Sequence, residues 1–244
     1  MKGNFRLLKF IFLFLVIFYT GDELQSQTKD PDEILTKVKE AFKIVKDYEV
    51  DIHIKVDVNF LKVPESDAKL YFKQPDKIHI ESEKFVLLPK QGLNFSPLVL
   101  LNEKYTALYD REDTIRGVKT CVVKVIPIGN SSDVILSTLW IDQTRDLIIK
   151  IESSRKPVGT FSIDFTYEKY NDQYEMPSTM IFTFTVDRMR IPRGMNGQLD
   201  MEGETDSEKS GSREGKVYIS YSNYKVNQDL SDELFENTEM DGKK

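Results

Sequence analysis

Between Tyr48 and Phe60 the chain alternates apolar and polar side chains without a break. Tyr48, Val50, Ile52, Ile54, Val56, Val58 and Phe60 share one face, and Glu49, Asp51, His53, Lys55, Asp57 and Asn59 share the other. A period of two predicts a β-strand with one dry and one wet face. At about 3.3 Å per residue it would run roughly 40 Å, about twice the usual length. Strands of that length belong to large curved antiparallel sheets. The segment before it has a different period. Ile34, Leu35, Val38, Ala41, Phe42 and Val45 recur at helical spacing, with Lys37, Lys39, Lys43 and Lys46 on the other side, which predicts one amphipathic helix over 30–47. Asp30 suits its N-cap, Pro31 its first turn, and Glu33 stands where a capping box would put it.

Downstream the pattern is nearly all strand: 67–73, 77–83, 104–109, 118–127, 134–142, 147–153, 159–169, 178–188 and 216–226. Turn signals separate these runs, among them Gln74-Pro75-Asp76, Gly129-Asn130-Ser131, Gln143-Thr144-Arg145-Asp146 and Asn171-Asp172. Successive strands with no helix between them pair antiparallel, because parallel pairing needs long crossovers. Two segments break the pattern. Phe85 to Leu101 is apolar at most positions but interrupted by Pro89, Gly92 and Pro97. It is too broken for a strand and too apolar to lie exposed, so it is expected to cover an apolar surface as a lid. Residues 190–215, rich in glycine, serine and charge, read as a long mobile hairpin loop.

The apolar faces raise the question of what covers them. Phe161, Ile163, Phe165 and Tyr167 line one strand face; Met180, Phe182, Phe184 and Val186 line another. A helix of about 17 residues is roughly 25 Å long and 10 Å wide, too small to cover so large a sheet alone. Either the sheet curls onto itself as a plain core, or part of the wall is left for the 85–101 segment and a ligand. On the second reading the wall is Val50, Ile52, Ile54, Val56 and Val58, with Leu70, Phe72, Phe182 and Phe184 opposite or beside them, and the lid is Phe85, Val86, Leu87, Leu88, Phe95, Leu98 and Leu100.

The N-terminus changes the picture by placing this sheet in a compartment. Lys2, Arg6 and Lys9 precede an apolar run from Phe10 to Tyr19 and then polar GDELQSQ, the layout of a secretory signal peptide. The run falls short of the 20 or so residues a membrane span needs. Cleavage near Ser26 is expected, giving a signal peptide over 1–26 and a single domain over 27–244; an uncleaved signal anchor is the alternative. No cysteine stands near that site to carry a lipid anchor. Losing 1–26 removes three basic and two acidic side chains and moves the net charge from −6 to about −7. An acidic chain is a poor nucleic-acid binder. The one cysteine, Cys121, sits in the apolar run CVVKVIPI and reads as a small buried hydrophobe. His53 and His79 both fall on polar strand faces, where solvation explains them better than a metal does. No HExxH, GxSxG or P-loop occurs and nothing singles out a carboxylate pair, so neither an enzyme, a metal site nor a cofactor is expected.

Four stretches in order carry a resemblance: KDYEVDIHIKV after the first helix, AKLYFKQPDKIHIES, LWIDQTRDLIIKIES, and the closing YSNYKVNQDLSDELF. Over about Asp30 to Phe235 the chain resembles the bacterial LolA/LolB-type lipoprotein-carrier superfamily, and within it the outer-membrane lipoprotein-sorting proteins. The resemblance implies an unclosed antiparallel half-barrel with an N-terminal helix and a lid, in a monomeric periplasmic carrier. Such a carrier would hold acyl chains of lipoproteins or lipids between an inner-membrane exporter and an outer-membrane acceptor. One departure stands out. The carrier usually has arginine before the turn proline, where it helps hold the lid shut; the matching residue here is Gln74, uncharged and without the five-donor fork. Relatives on this fold also include binding and envelope-stress sensor modules, so a protein-binding module using the 190–215 loop is the competing expectation.

Overall fold

The computed structural model describes residues 29–58, 62–82, 100–101, 104–128, 134–156, 159–185 and 214–236. Helix α1 spans Pro31–Lys43, capped by the Asp30 carboxylate, which accepts from the Asp32 amide at 2.9 Å. The capping box does not form, because Glu33 pairs one turn onward with Lys37 at 2.8 Å. Leu35 and Val38 are fully buried, with Ile34, Phe42 and Val45 packed beside them, so the apolar stripe is as the spacing predicts. The helix nevertheless ends before residue 47. The Gln74 side-chain amide donates to the Phe42 and Val45 carbonyls at 2.8 and 2.6 Å, and its backbone amide donates to that of Lys46 at 2.8 Å. Those carbonyls are thereby turned away from a further helical turn, and Asp47 opens the first strand.

Ten strands follow: β1 (Asp47–Asp57), β2 (Ser66–Lys73), β3 (Lys77–Glu81), β4 (Tyr105–Ile115), β5 (Val118–Pro127), β6 (Val134–Asp142), β7 (Leu147–Arg155), β8 (Gly159–Tyr170), β9 (Tyr174–Thr185) and β10 (Glu214–Val226); a short helix α2 (Glu233–Glu236) ends the described chain. They form one antiparallel sheet in the order β3-β2-β1-β10-β9-β8-β7-β6-β5-β4. Pairing of β10 with β1 joins the last strand to the first, yet β3 and β4 remain free edges. The fold is therefore mainly β, a large antiparallel sheet left unclosed as a half-barrel with an N-terminal helix.

The differences from the sequence reading have local causes. β4 runs on from Tyr109 to Ile115 through DREDTI, polar on both faces because an edge strand wets both sides there, with a register shift between Tyr109 and Arg111. Arg116 and Gly117, both at positive φ, make the two-residue turn into β5. β9 begins at Tyr174 rather than 178; it tolerates Pro177 beside the register shift at Thr166/Tyr167, where the ladder is already interrupted. β10 begins at Glu214, so Gly215 is a strand residue and not loop. A Cβ on Gly215 would stand 2.7 Å from the Phe184 ring and 3.1 Å from Val58, and only glycine fits that approach.

Strand direction gives the half-barrel two unlike ends. At one end the strands are joined by short turns at 74–76, 116–117, 143–146 and 171–173. At the other end β1, β3, β5, β7 and β9 finish and β2, β4, β6, β8 and β10 begin. Helix α1 is tied to the edge strand β4 and to the β2–β3 turn. Near its N-terminus Lys29 donates to Glu112 of β4 and to Gln143 at 2.7 and 2.8 Å; Lys39 lies over the Tyr105 ring; and its C-terminal end is held by Gln74 in the β2–β3 turn. No helix among the described residues is long and apolar enough to cross a membrane.

Candidate functional site

The register lines up one inner apolar wall. Across the sheet, Val56 faces Val217, Val217 faces Phe182, Phe182 faces Ile163, Ile163 faces Ile151, Ile151 faces Leu139 and Leu139 faces Val123. A parallel row runs from Ser66 and Ile54 through Ile219 and Met180 to Phe165. Period-two alternation, with no register shift within the stretches that hold these two rows, puts every one of these side chains on the same side. Of the expected wall residues, Val50, Ile52, Ile54, Val58, Leu70, Phe182 and Phe184 are buried and Val56 and Phe72 half-buried, all in one contiguous cluster. The structure thus brings them together on one side of the sheet, most of them as core.

Coverage of that surface is uneven. Leu35 and Val38 of α1 and Leu101 are fully buried against it, and α1 touches β4 and β7. On the β1–β3 side, Val56, Phe72, Ile78 and Ile80 pack against the core but keep accessible surface. Of the expected lid, Leu100 is half-buried on the cluster. Phe85, Val86, Leu87, Leu88, Phe95 and Leu98 lie outside the described residues, as do Phe60, Val186, residues 190–213 and the expected signal peptide over 1–26.

Among the described residues, Gln74 acts on the end of α1. Both donors of its amide are spent on the end of α1, so the position holds the helix against the β2–β3 turn. The LWIDQTRD stretch is also structural. Trp140 lies on the outer face in a small second cluster with Val122 and Ile149, its Nε1 donating to Asp113 at 3.0 Å and its ring facing the Lys150 ammonium. Asp142, buried, accepts from the Thr144 amide at 2.8 Å and from Arg145 Nε at 2.7 Å, and Arg145 also reaches Glu175 at 3.1 Å. Together they fix the β6–β7 turn.

The histidines are separated. His53 faces Asp67 across β1 and β2 and lies between that carboxylate (2.8 Å) and Glu65 (3.2 Å), which together raise its pKa, the Asp67 hydrogen bond most. His79 faces Tyr71. No group of residues suited to a metal ion occurs among the described residues. The outer face of β1–β3 carries an open depression of about 520 Å³ bordered by Asp51, His53, Asp67, Lys69 and Glu81. Lys69 is paired with Glu49 and Asp51 there. Cys121 is buried, its thiol 3.7 Å from the Ile141 carbonyl and its pKa pushed up by burial, which suits a core residue and not a nucleophile.

Sequence reasoning missed a ring of tyrosines at the short-turn end of the wall. Tyr48 stacks on Phe72 at 5.0 Å and meets Tyr224 edge-on at 5.6 Å; Tyr221 and Tyr170 approach Tyr224 at 6.3 and 6.2 Å. Burial pushes the hydroxyls of Tyr48, Tyr167, Tyr221 and Tyr224 far above the usual phenol range, so all are neutral donors. Tyr224 donates to the Pro177 carbonyl at 2.7 Å and Tyr167 to that of Ile148 at 2.9 Å. The alternation at Tyr48 marked it as inward-facing, but nothing in sequence showed that distant strands converge there.

Against this geometry, comparison with known proteins gives a fold. No family model matches the chain, and no curated protein sequence matches it. Solved structures do. A DUF1329 family protein from Desulfovibrio piger is similar with a TM-score of 0.57 at 14% identity, over 85% of this chain and 98% of that one. A LolA superfamily protein from Nitrosomonas europaea is similar with a TM-score of 0.55 at 14% identity, over 84% and 96%. A putative outer membrane lipoprotein-sorting protein domain from Vibrio parahaemolyticus gives 0.51 at 14% identity, over 85% and 98%. The chain shares the fold of these three structures, one of them a LolA superfamily protein, over most of its length.

Proposed function

We infer that the protein is an exported carrier that holds acyl chains of lipids or lipoproteins against the inner wall of the half-barrel. The observation that supports it most is the continuous apolar wall on one side of a ten-stranded sheet that stays open between β3 and β4, with accessible apolar surface along β1–β3. Each buried methylene contributes about 0.8 kcal/mol, so one long acyl chain costs more than about 10 kcal/mol to leave in water. A lipid crosses an aqueous compartment only when escorted, and a preformed apolar groove is enough for that escort. The carrier reading needs no covalent chemistry; among the described residues the polar groups on this face include Ser66, a Ser137–Ser153 hydroxyl pair at 2.6 Å and the tyrosine hydroxyls. Export by the 1–26 signal peptide would place the carrier in the periplasm, receiving cargo at the inner membrane and delivering it to an outer-membrane acceptor.

The test is a charge on the accessible part of the wall. Ile54 is too deeply buried for this purpose, since a carboxylate there would unfold the sheet. Val56, half-buried, is the better position. Val56→Glu should keep the far-UV spectrum and cooperative unfolding while lipid uptake falls at least tenfold. Unchanged uptake by a folded variant would show that this surface is core alone, and the protein-binding reading would replace the carrier.

A further inference from the structure

Arg155 is the last residue of β7, at the end of the half-barrel away from the short turns. The β7–β8 ladder runs from Ile151 to Arg155 with no register shift, so Arg155 shares the inner side with Ile151 and Ser153. Its Nε is shut off from solvent without a hydrogen-bond partner, one of two buried side-chain atoms so placed among the described residues. The other, Thr120 Oγ1, belongs to a residue with 0% exposure, whereas Arg155 keeps accessible surface. Nor does Arg155 form an ion pair among the described residues. Directly across from it stands Gly159, where an added Cβ would meet no neighbouring atom within 4 Å, so there is room beside the guanidinium. Two residues back along β7, about 7 Å away, Ser153 is hydrogen-bonded to Ser137 at 2.6 Å, both buried. In such a pair one hydroxyl donates and the other accepts, which leaves one O–H to donate elsewhere. Unsatisfied polar groups inside proteins are rare, and a charge beside an apolar wall calls for a partner.

Resting on the carrier reading above, we propose that Arg155, with the Ser137–Ser153 pair beneath it, binds the anionic headgroup of an acyl-bearing lipid, a carboxylate or a phosphate. The guanidinium supplies a positive charge and a planar fork of donors that matches either group bidentately. A neutral headgroup would leave that charge unbalanced. The attached chain has a path along the wall. Phe161 faces Phe184, and Phe184 and Val58 meet over Gly215, so the three lead from β8 across β9 to β1. They keep 6%, 9% and 9% exposure, whereas Ile151 and Ile163 in the next row are at 0%. The row nearest Arg155 is thus the one left partly open, and it ends beside the half-buried Val56.

Laurate, methyl laurate and inorganic phosphate are the probes, applied by equilibrium dialysis to the chain from residue 27 onward, below micelle-forming concentrations. At about pH 8 the laurate carboxylate is ionised. Parent protein should bind laurate more tightly than its methyl ester. Arg155→Gln should lower laurate affinity about tenfold or more, the worth of a charge-assisted hydrogen bond, and leave methyl laurate unchanged. Arg155→Lys keeps the charge without the fork and should fall between. Thermal stability provides a second readout. Arg155→Gln should melt no lower than parent; a clear fall in both variants would assign the side chain to the fold and overturn the site. Equal laurate affinity in parent and Arg155→Gln, with the ester bound as well, would overturn the headgroup site while leaving the carrier intact. Phosphate bound as tightly as laurate, and lost in Arg155→Gln, would assign the site to a free anion and overturn the lipid headgroup. Binding of neither laurate nor its ester by the parent would overturn the carrier reading and this one with it.

Discussion

Replacing Gln74 with alanine removes both donors that hold the end of α1. The Gln74 amide reaches the Phe42 and Val45 carbonyls at 2.8 and 2.6 Å. A neutral hydrogen bond in a folded protein is worth a net of about 0.5–1.5 kcal/mol, so the pair is worth about 1–3 kcal/mol. The site is only partly buried and water will satisfy some of the released carbonyls, which places the loss in the lower part, about 1–2 kcal/mol. For a domain of this size each kcal/mol moves the melting temperature about 2–4 °C, so Gln74→Ala should melt about 2–8 °C lower and shift its urea midpoint without changing the slope. Gln74→Glu is the sharper variant. It keeps the shape but turns an acceptor toward two acceptors, so at neutral pH it should be less stable than alanine and recover as the carboxylate protonates. Lipid uptake at a temperature where all variants are folded should be unaffected. A Gln74→Ala protein as stable as parent, or one equally stable that no longer takes up lipid, would refute the assignment of this residue to the helix end.

Other expectations are more local. Ile163 is 0% exposed at the centre of the wall, between Phe182 and Ile151; Ile163→Ala should cost about 2–5 kcal/mol in denaturant unfolding, and a loss under 1 would mean that the wall there is loosely packed. Gly215→Ala puts a methyl against the Phe184 ring and should cost about 1–3 kcal/mol, whereas Phe184→Leu in the same background should restore part of it. His53 has its folded pKa raised above the ordinary 6.5 by Asp67 first and Glu65 after it. Its ion pairs therefore stabilise fully below about pH 6.5 and fade as pH rises through the folded value. Being exposed, they are worth less than about 1 kcal/mol. His53→Gln should lower stability at pH 5.5 and leave it unchanged at pH 9; equal effects at both would show a packing role instead.

The parts of the fold legible in sequence are those set by period. β5 and β6 have the limits the alternation predicts, 118–127 and 134–142. The α1 stripe is buried as its spacing implies. What escaped prediction was decided by tertiary neighbours. The helix stops at Lys43 because a side chain from the β2–β3 turn takes its carbonyls. The second half of β4 carries no alternation because an edge strand has water on both sides. Gly215 looked like loop because its strand role is set by Phe184 and Val58, distant in sequence. The inward apolar face was readable for the same reason as the strands, since it is one residue class at a period of two. The tyrosine cluster was not: Tyr48 and Tyr224 belong to opposite ends of the chain, and only the β1–β10 pairing brings their rings together.

The central claim is that the inner wall holds acyl chains, and it is tested most directly by the protein's own cargo. The chain from residue 27 onward, purified without detergent from an exporting host, would be measured by native mass spectrometry and its organic extract identified. The account predicts a near-stoichiometric acylated species that leaves on extraction and is absent from Val56→Glu. A clean apo mass, with no uptake of added lipid or lipopeptide by a folded protein, would contradict it.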